Sequence, residues 1–455
     1  MKQKVHPNRA IPSVGRILRE TVDHSLPRPM VLKVIRKTLE AIRNDSDALN
    51  AETILEQVNT ELKALADSRI QPVINATGVL IHTNMGRIPL ANEVLQATHK
   101  IAIQYSTLEY NLRKGQRGKR GSYIESCLAG LCGAEATAVV NNCAAALVLV
   151  LKALTDDTKD EVLISRGELI QIGGGFRIPD MLVAAGARLR EVGTTNHTNL
   201  DDYQRAISGR TALILRVHRS NFVMSGFVES PSRTELSKLA NEAGIPLFED
   251  LGSGALIETS RWSSLPNASK PQDALQEGVD IVCFSGDKLM GGPQAGLIVG
   301  RESLIKKARQ HPFYRAVRCD KMVLAALQIV VETYLGEDDS LKTIPLYKML
   351  EQSTERLQKR AEKIVEAWGG RRGKLSIQPH NGKIGGGALP EAQVPSIALK
   401  LNIPGLSPDA LADKCRAVSP PVIGVVEKDA LVLDLRTVFP EQDEDLLSSL
   451  LAVSN

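Results

Sequence analysis

Much that would classify a chain at once is missing from this one. Its six cysteines (Cys127, Cys132, Cys143, Cys283, Cys319, Cys415) form no CxxC pair and no Cys/His ligand spacing, so neither a disulfide framework nor a zinc site is expected and no metal is assigned. A reducing, cytoplasmic setting fits. No apolar run approaches the roughly 18 residues of a membrane span, and the basic start MKQKVHPNRAIPSV has no apolar stretch behind it, so neither membrane nor secretion is expected. There is no Walker GxxxxGK[ST] and no strand-linked GxGxxG, which disfavours P-loop and dinucleotide chemistry. Nor is there a large charge of one sign: 56 Lys+Arg oppose 52 Asp+Glu, a net of +4. With 43% hydrophobic and 24% charged residues, disorder, collagen and coiled coil are excluded.

The near-zero average conceals a segregated charge. Residues 1–43 hold ten Lys/Arg (Lys2, Lys4, Arg9, Arg16, Arg19, Arg28, Lys33, Arg36, Lys37, Arg43) against Glu20, Asp23 and Glu40. The run VLKVIRKTLEAIR (31–43) sets Val31, Val34, Ile35, Leu39 and Ile42 on one helical stripe with most bases elsewhere. Either this is a solvated helix face or it is an arm for a polyanion such as RNA. A second basic run, NLRKGQRGKR, spans 111–120.

From about residue 71 short β-branched runs alternate with helical stretches: 137–140, 161–165, 211–217, 245–250, 280–285 and 295–300. Apolar runs without strict alternation predict strands covered on both faces, hence an α/β fold with a mainly parallel sheet between helices. The pattern from 321 predicts a long helix leaving that domain. A charged helix (353–367) and strands at 395–401, 420–427 and 430–436 predict a smaller α+β domain. The expected division is a basic helical front (1–70, a tRNA contact candidate), a large domain (71–325) and a small C-terminal domain (326–455).

Chemistry concentrates in three places. In FSGDKLMGGPQAG (284–296) a buried strand ends in Ser285-Gly-Asp287-Lys288, and a desolvated amine in a glycine-rich turn suits a Schiff base. An isolated Lys there is more often a surface turn residue. IPLFEDLGSG (245–254) puts Asp250 at another strand end, 38 residues earlier, where a carboxylate can pair with a pyridinium nitrogen; alone, such an Asp is usually a cap. In VVNNCAAALVLVLKAL (139–154) the small residues after Asn142, namely Cys143 and Ala144, open a helix whose N-terminus could cup a phosphate, although many buried helices start this way. The chain order of cup, Asp and Lys resembles the aspartate-aminotransferase-like (fold type I) enzymes, which use pyridoxal 5'-phosphate (PLP).

The stretches INATGVLIHTNMGRIPL (74–90), YSTLEYN (105–111), SRGELIQIGGGFRIPD (165–180), VGTTN (192–196), VHRSNF (217–222), EDLGSG (249–254), RAVRCDKM (315–322) and PPVIGVVEKDALVLDLRTVFP (420–440) then narrow the comparison. With the lysine segment, they resemble the bacterial selenocysteine synthase family, the L-seryl-tRNA(Sec) selenium transferases, from about residue 11 onward. The resemblance implies conversion of seryl-tRNA(Sec) to selenocysteinyl-tRNA(Sec) with selenophosphate, through an aminoacrylyl stage. It implies Lys288 as the Schiff-base residue and Asp250 as the ring partner. Asn142, Cys143, Ala144, Ser285 and His218 fall around the cofactor, although a strand-end His is more often a packed residue. Arg87, Arg315 and Arg318 fall on the family's anion-binding arginines, and Arg120, Thr194, Thr195 and Asp287 on substrate positions. A homo-oligomer, a ring-like homodecamer built from dimers, is implied as well. Two departures stand near the expected site: Gln171 where the family usually carries an acid, and Tyr123 where a His is usual.

Two other classes compete. A PLP-dependent lyase or desulfurase acting on a free small amino acid or amino sugar would need an Arg for a carboxylate, and Arg436 in LDLRTV is the available clamp. A catalytically silent tRNA-binding protein would keep the basic front without needing Lys288 and Asp250 together.

Overall fold

The computed structural model describes residues 11–21, 25–44, 50–371 and 373–454, and the chain divides into two compact units, Met1–Val73 and Ile74–Asn455. The first unit holds α1 (Val14–Glu20), α2 (Arg28–Asn44) and α3 (Ala51–Asp67). Ser13 caps α1 and Asn50 caps α3, each accepting a hydrogen bond from a first-turn amide. Ile35, Leu39 and Ile42 of the expected stripe are buried with Ile17, Ile54, Val58 and Leu62, and Val31 and Val34 pack partly against them. This apolar face leaves Arg28, Lys33, Arg36, Lys37 and Arg43 exposed on α2. Of the basic front, Lys2, Lys4 and Arg9 lie outside the described residues.

The second unit is built on a seven-stranded sheet: β1 (Ala136–Val140), β2 (Glu161–Ser165), β3 (Arg188–Val192), β4 (Thr211–Val217), β5 (Leu247–Gly252), β6 (Ile281–Ser285) and β7 (Gly296–Gly300). Their order is β1-β7-β6-β5-β4-β2-β3, and only β7 runs antiparallel to its neighbours. The apolar runs fold as predicted because most positions are covered on both faces: β6 and β7 are buried throughout, and β4 and β5 nearly so. This is the α/β, fold type I arrangement.

A second, five-stranded sheet has the order Val425–Glu427, Ala430–Asp434, Gln393–Asn402, Lys374–Gly385, Val79–Ile81. Its last strand comes from early in the chain and pairs parallel with Lys374–Gly385, while Ile74–Asn75 pairs with Val422–Ile423. Residues 74–81 are thus built into C-terminal secondary structure. The predicted strand 420–427 breaks at Gly424, where a β-carbon would lie 2.6 Å from Leu433 Cδ2 and 2.7 Å from Val432 O. The predicted long helix is Lys321–Leu335, but it does not leave the large core. Leu324, Ala326, Leu327, Val330 and Val331 are buried beside α4 (Asn92–Ala102) and α5 (Ser122–Cys132), because too much of its surface is apolar for an exposed connector.

Candidate active site

The six parallel strands of the main sheet end at one edge, where open α/β sheets leave a crevice. Asp250 near the end of β5 stands in register between Val217 of β4 and Cys283 of β6. The His218 amide donates to the Asp250 carbonyl at 2.9 Å, so two strand ends are locked together at this point. Asp250 and Lys288 are each only 6% exposed. Burial pushes the Asp250 carboxyl up, and the nearby Lys288 charge pulls it back. Its Oδ1 accepts from the Gly252 amide at 2.9 Å and from Cys143 Sγ at 3.5 Å.

Gly252 shows what the arrangement is open to. Its φ is +63°, and a β-carbon there would lie 3.8 Å from Ser220 Oγ, 3.9 Å from Lys288 Nζ and 4.0 Å from Asp250 Oδ1. Three polar side-chain ends therefore converge on space that the missing side chain leaves free. Burial lowers the pKa of the half-buried His218 from its ordinary value, which favours a neutral imidazole beside Ser220. Ser285, the last residue of β6, is buried and pairs across to Gly296.

The helix that follows β1 is α6 (Cys143–Leu154). Asn142 is its N-cap: its Oδ1 accepts from the Ala145 amide at 2.8 Å, so this side chain serves the helix. No acceptor within the described residues reaches the Cys143 and Ala144 amides, which remain available to an anion. A β-carbon on Gly296 would come within 2.1 Å of the Asn142 carbonyl, so glycine at 296 is what permits this close approach. Cys143 Sγ is 3.8 Å from Cys283 Sγ, and these thiols with Asp250 place their ligand atoms within 4.8 Å of one another. Burial pushes the Cys283 thiol up, which favours an S–H group at Cys283 over a thiolate ligand for a metal.

Asp287, beside the lysine, is buried and forms an ion pair with Arg87; its Oδ1 has no partner among the described residues. Arg87 holds φ +68°, an uncommon conformation for a side-chain-bearing residue, closed by its amide on the His82 carbonyl at 2.9 Å. Arg120 and Arg318 meet instead at Glu109, while Arg315 is exposed with no ion pair among the described residues. Thr194 and Thr195 occupy an exposed turn after β3, where Thr194 bonds to the His197 carbonyl; no hydrogen bond joins either to Lys288, Asp250 or Arg87. Gln171 accepts from Arg177 at 2.9 Å in a short hairpin, and Tyr123 is exposed.

The expected positions thus fall into groups. Asp250 contacts Cys143, Arg87 pairs with Asp287, and Lys288 follows Asp287 in the chain with its amine on the same side of Gly252 as Asp250; His218, Ser285, Asn142 and Ala144 lie on the same strand and helix ends. Arg120 and Arg318 form a second group, and Arg315 and the two threonines stand apart. Sequence reasoning missed Ser220, Gly252, Cys283 and Glu109; all lie in segments that drew attention, yet only register and packing aim them.

Arg436 is a possible carboxylate clamp for a free amino acid, and the structure turns both of its terminal nitrogens to the backbone instead. Its guanidinium is buried, with Nη1 donating to the Met349 and Gln352 carbonyls at 2.6 and 2.9 Å and Nη2 to the Pro395 carbonyl. It ties backbone segments together.

Comparison with known proteins agrees with this geometry. The family model described as L-seryl-tRNA selenium transferase matches residues 73–439. A curated L-seryl-tRNA(Sec) selenium transferase of Geobacter sulfurreducens is 40% identical, covering 97% of this chain and 98% of the relative. One from Aquifex aeolicus is 42% identical over 95% and 96%. Among solved structures, a D-glucosaminate-6-phosphate ammonia-lyase shares the fold with a TM-score of 0.60 at 20% identity, covering 85% of this chain and 96% of that one. The chain belongs to the L-seryl-tRNA selenium transferase family.

Proposed function

We propose that this protein is an L-seryl-tRNA(Sec) selenium transferase that works with PLP and turns seryl-tRNA(Sec) into selenocysteinyl-tRNA(Sec), with selenophosphate as selenium donor. The observation that carries the reading is the open face of Gly252, where Ser220, Lys288 and Asp250 converge, in a chain about as long as the curated transferases it matches. The residues fit the cofactor. Lys288 offers an amine for its aldehyde, Asp250 a carboxylate for its ring nitrogen, and the Cys143 and Ala144 amides a place for its phosphate. When bound, PLP supplies an electron sink for charge developing at the seryl Cα.

The chain's own groups do the rest. The Lys288 amine takes the Cα proton, the Cβ–O bond breaks as hydroxide leaves, the selenium of selenophosphate adds at Cβ, and the same amine returns the proton to Cα; water then cleaves the Se–P bond, so that phosphate leaves and the selenol is freed. Arg87, oriented by Asp287, together with Arg315 and Arg318 holds the selenophosphate oxyanion, for which forked guanidinium donors are suited. Arg120, Thr194 and Thr195 contact substrate. An aminoacyl ester has no free carboxylate, and the occupied Arg436 guanidinium accords with that, favouring an aminoacyl-tRNA over a free amino acid.

The exposed bases of α2 suit the tRNA backbone, so residues 1–70 are the proposed tRNA contact. Exposed Ile103, Tyr105 and Leu112 suit burial between copies, in keeping with a homo-oligomer, the homodecamer of the family. No helix among the described residues is long and apolar enough to cross a membrane, and with all six cysteines free the cytoplasm is the proposed site of action.

The test compares substrates. Purified holoenzyme should convert seryl-tRNA(Sec) plus selenophosphate with greater efficiency than it turns over free serine or cysteine, and borohydride should fix the cofactor at Lys288. Faster turnover of the free amino acids would replace this reading with a lyase.

A further inference from the structure

One carboxylate gathers three arginines. Glu109 Oε2 accepts from Arg117 Nη2 at 3.0 Å, and Oε1 accepts from Arg120 Nη1 at 2.8 Å and from Arg318 Nη1 at 3.4 Å. Arg120, then Arg117, hold the Glu109 carboxyl below its ordinary range, so it is an anion at neutral pH.

The three guanidinium groups are not equally committed. Arg120 also donates through Nε and Nη2 to the Cys319 carbonyl at 3.1 and 2.6 Å and would stay in place without Glu109. Arg117 is largely exposed to water. Arg318 has only the long contact to Glu109, and its buried Nε has no partner among the described residues. Its backbone is nevertheless fixed: Arg318 bridges to Val140, and the Asn141 amide donates to the Val317 carbonyl at 2.9 Å. Arg318 is therefore anchored next to the residues that start α6, with a fork that is mostly unused.

A carboxylate and a tetrahedral oxyanion compete for the same guanidinium N–H groups. We propose that Glu109 is a specificity-determining residue, an internal carboxylate that occupies Arg318 until an incoming oxyanion takes the fork from it. This rests on the reading of Arg318 as an oxyanion donor. A dianion with three acceptor oxygens displaces a single 3.4 Å contact readily, whereas chloride and other weak acceptors do not, so Glu109 sets a threshold for which anions stay.

Inorganic phosphate is the probe, titrated calorimetrically into holoenzyme at constant ionic strength, with bound cofactor occupying the α6 N-terminus. Glu109→Gln should tighten phosphate binding about three- to tenfold, and Glu109→Asp, which shortens the carboxylate, should do so less. Arg318→Ala should weaken it about tenfold and abolish the gain in the double variant. A residue that merely supported the loop would not make binding tighter. If Glu109→Gln leaves affinity unchanged or lower while Arg318→Ala weakens it, the competition is wrong and the Arg318 reading stands. If Arg318→Ala changes nothing, both fall. Should the Gln variant not fold, the Asp variant decides by the same sign.

Discussion

Two buried aspartates in strands of the second unit, each opposed by a glycine, have opposite fates. Asp434 is closed on every side. Its Oδ2 pairs with His380 Nδ1 at 2.6 Å, its Oδ1 accepts from Ser396 Oγ at 2.7 Å and from the Arg436 amide at 2.8 Å, and a β-carbon on Gly78 would lie 2.7 Å from Oδ2. Asp250 has one amide and one weak thiol donor on Oδ1, and a β-carbon on Gly252 would lie 4.0 Å from that oxygen, an ordinary contact without overlap. A buried acid whose acceptors are filled holds a fold together. One whose acceptors are only partly used, beside a lysine and a gap, has capacity left for a ligand.

The largest expected effect tests the open side. Asp250→Ala should lower conversion of seryl-tRNA(Sec) by about a thousandfold with a urea midpoint close to wild type, measured by charging assay and circular dichroism. A large loss of stability would erase the distinction. Asp434→Ala should do the reverse: about 3 kcal/mol of stability lost, because His380 Nδ1, Ser396 Oγ and the Arg436 amide all lose the carboxylate they meet, with activity per folded molecule preserved.

The glycines sharpen the comparison further. Gly78→Ala combines φ +74° with overlap on Asp434 and should cost about 2–3 kcal/mol. Gly252→Ala meets only ordinary contacts, so about 1 kcal/mol of backbone strain is expected. Its added methyl fills the proposed cofactor space, and PLP uptake, read by absorbance, should fall much more than stability does.

The smallest effect is a pH dependence. The hydrogen bond to Asp434, aided by Glu427 at 3.2 Å, raises the His380 pKa above 6.5. A raised folded-state value means the stabilisation is complete below about pH 6.5 and is lost as pH rises through that folded value. Urea midpoints should therefore fall on the alkaline side, and His380→Gln should flatten that slope.

The strands carrying the site were legible because residues covered on both faces leave a local record: 161–165 and 211–217 are read without error, and 137–140 and 280–285 to within one residue. Lys288 and Asp250 were legible for a related reason, since an ionisable residue ending an apolar run needs an explanation. Arg436 ends such a run too and was open to a catalytic reading, yet its partners are carbonyls 41 to 87 positions away that no local pattern announces. The Lys321–Leu335 helix was found but misplaced, because periodicity records how much surface is covered and not by what. Glu109 was passed over in YSTLEYN because its meaning comes from Arg318, 209 residues later.

Taken alone, the sequence determined the α/β alternation and the basic amphipathic front and singled out the lysine and aspartate proposed to carry the chemistry, all consequences of burial and charge along short stretches. The tertiary structure decided which polar groups have partners. It filled Asp434, tied both terminal nitrogens of Arg436 to backbone carbonyls, left Asp250 and Arg318 with unused valence, and placed Gly252 where three side chains meet. The physical reason is that hydrogen-bond capacity is local to each residue, whereas its satisfaction depends on atoms brought close only by folding.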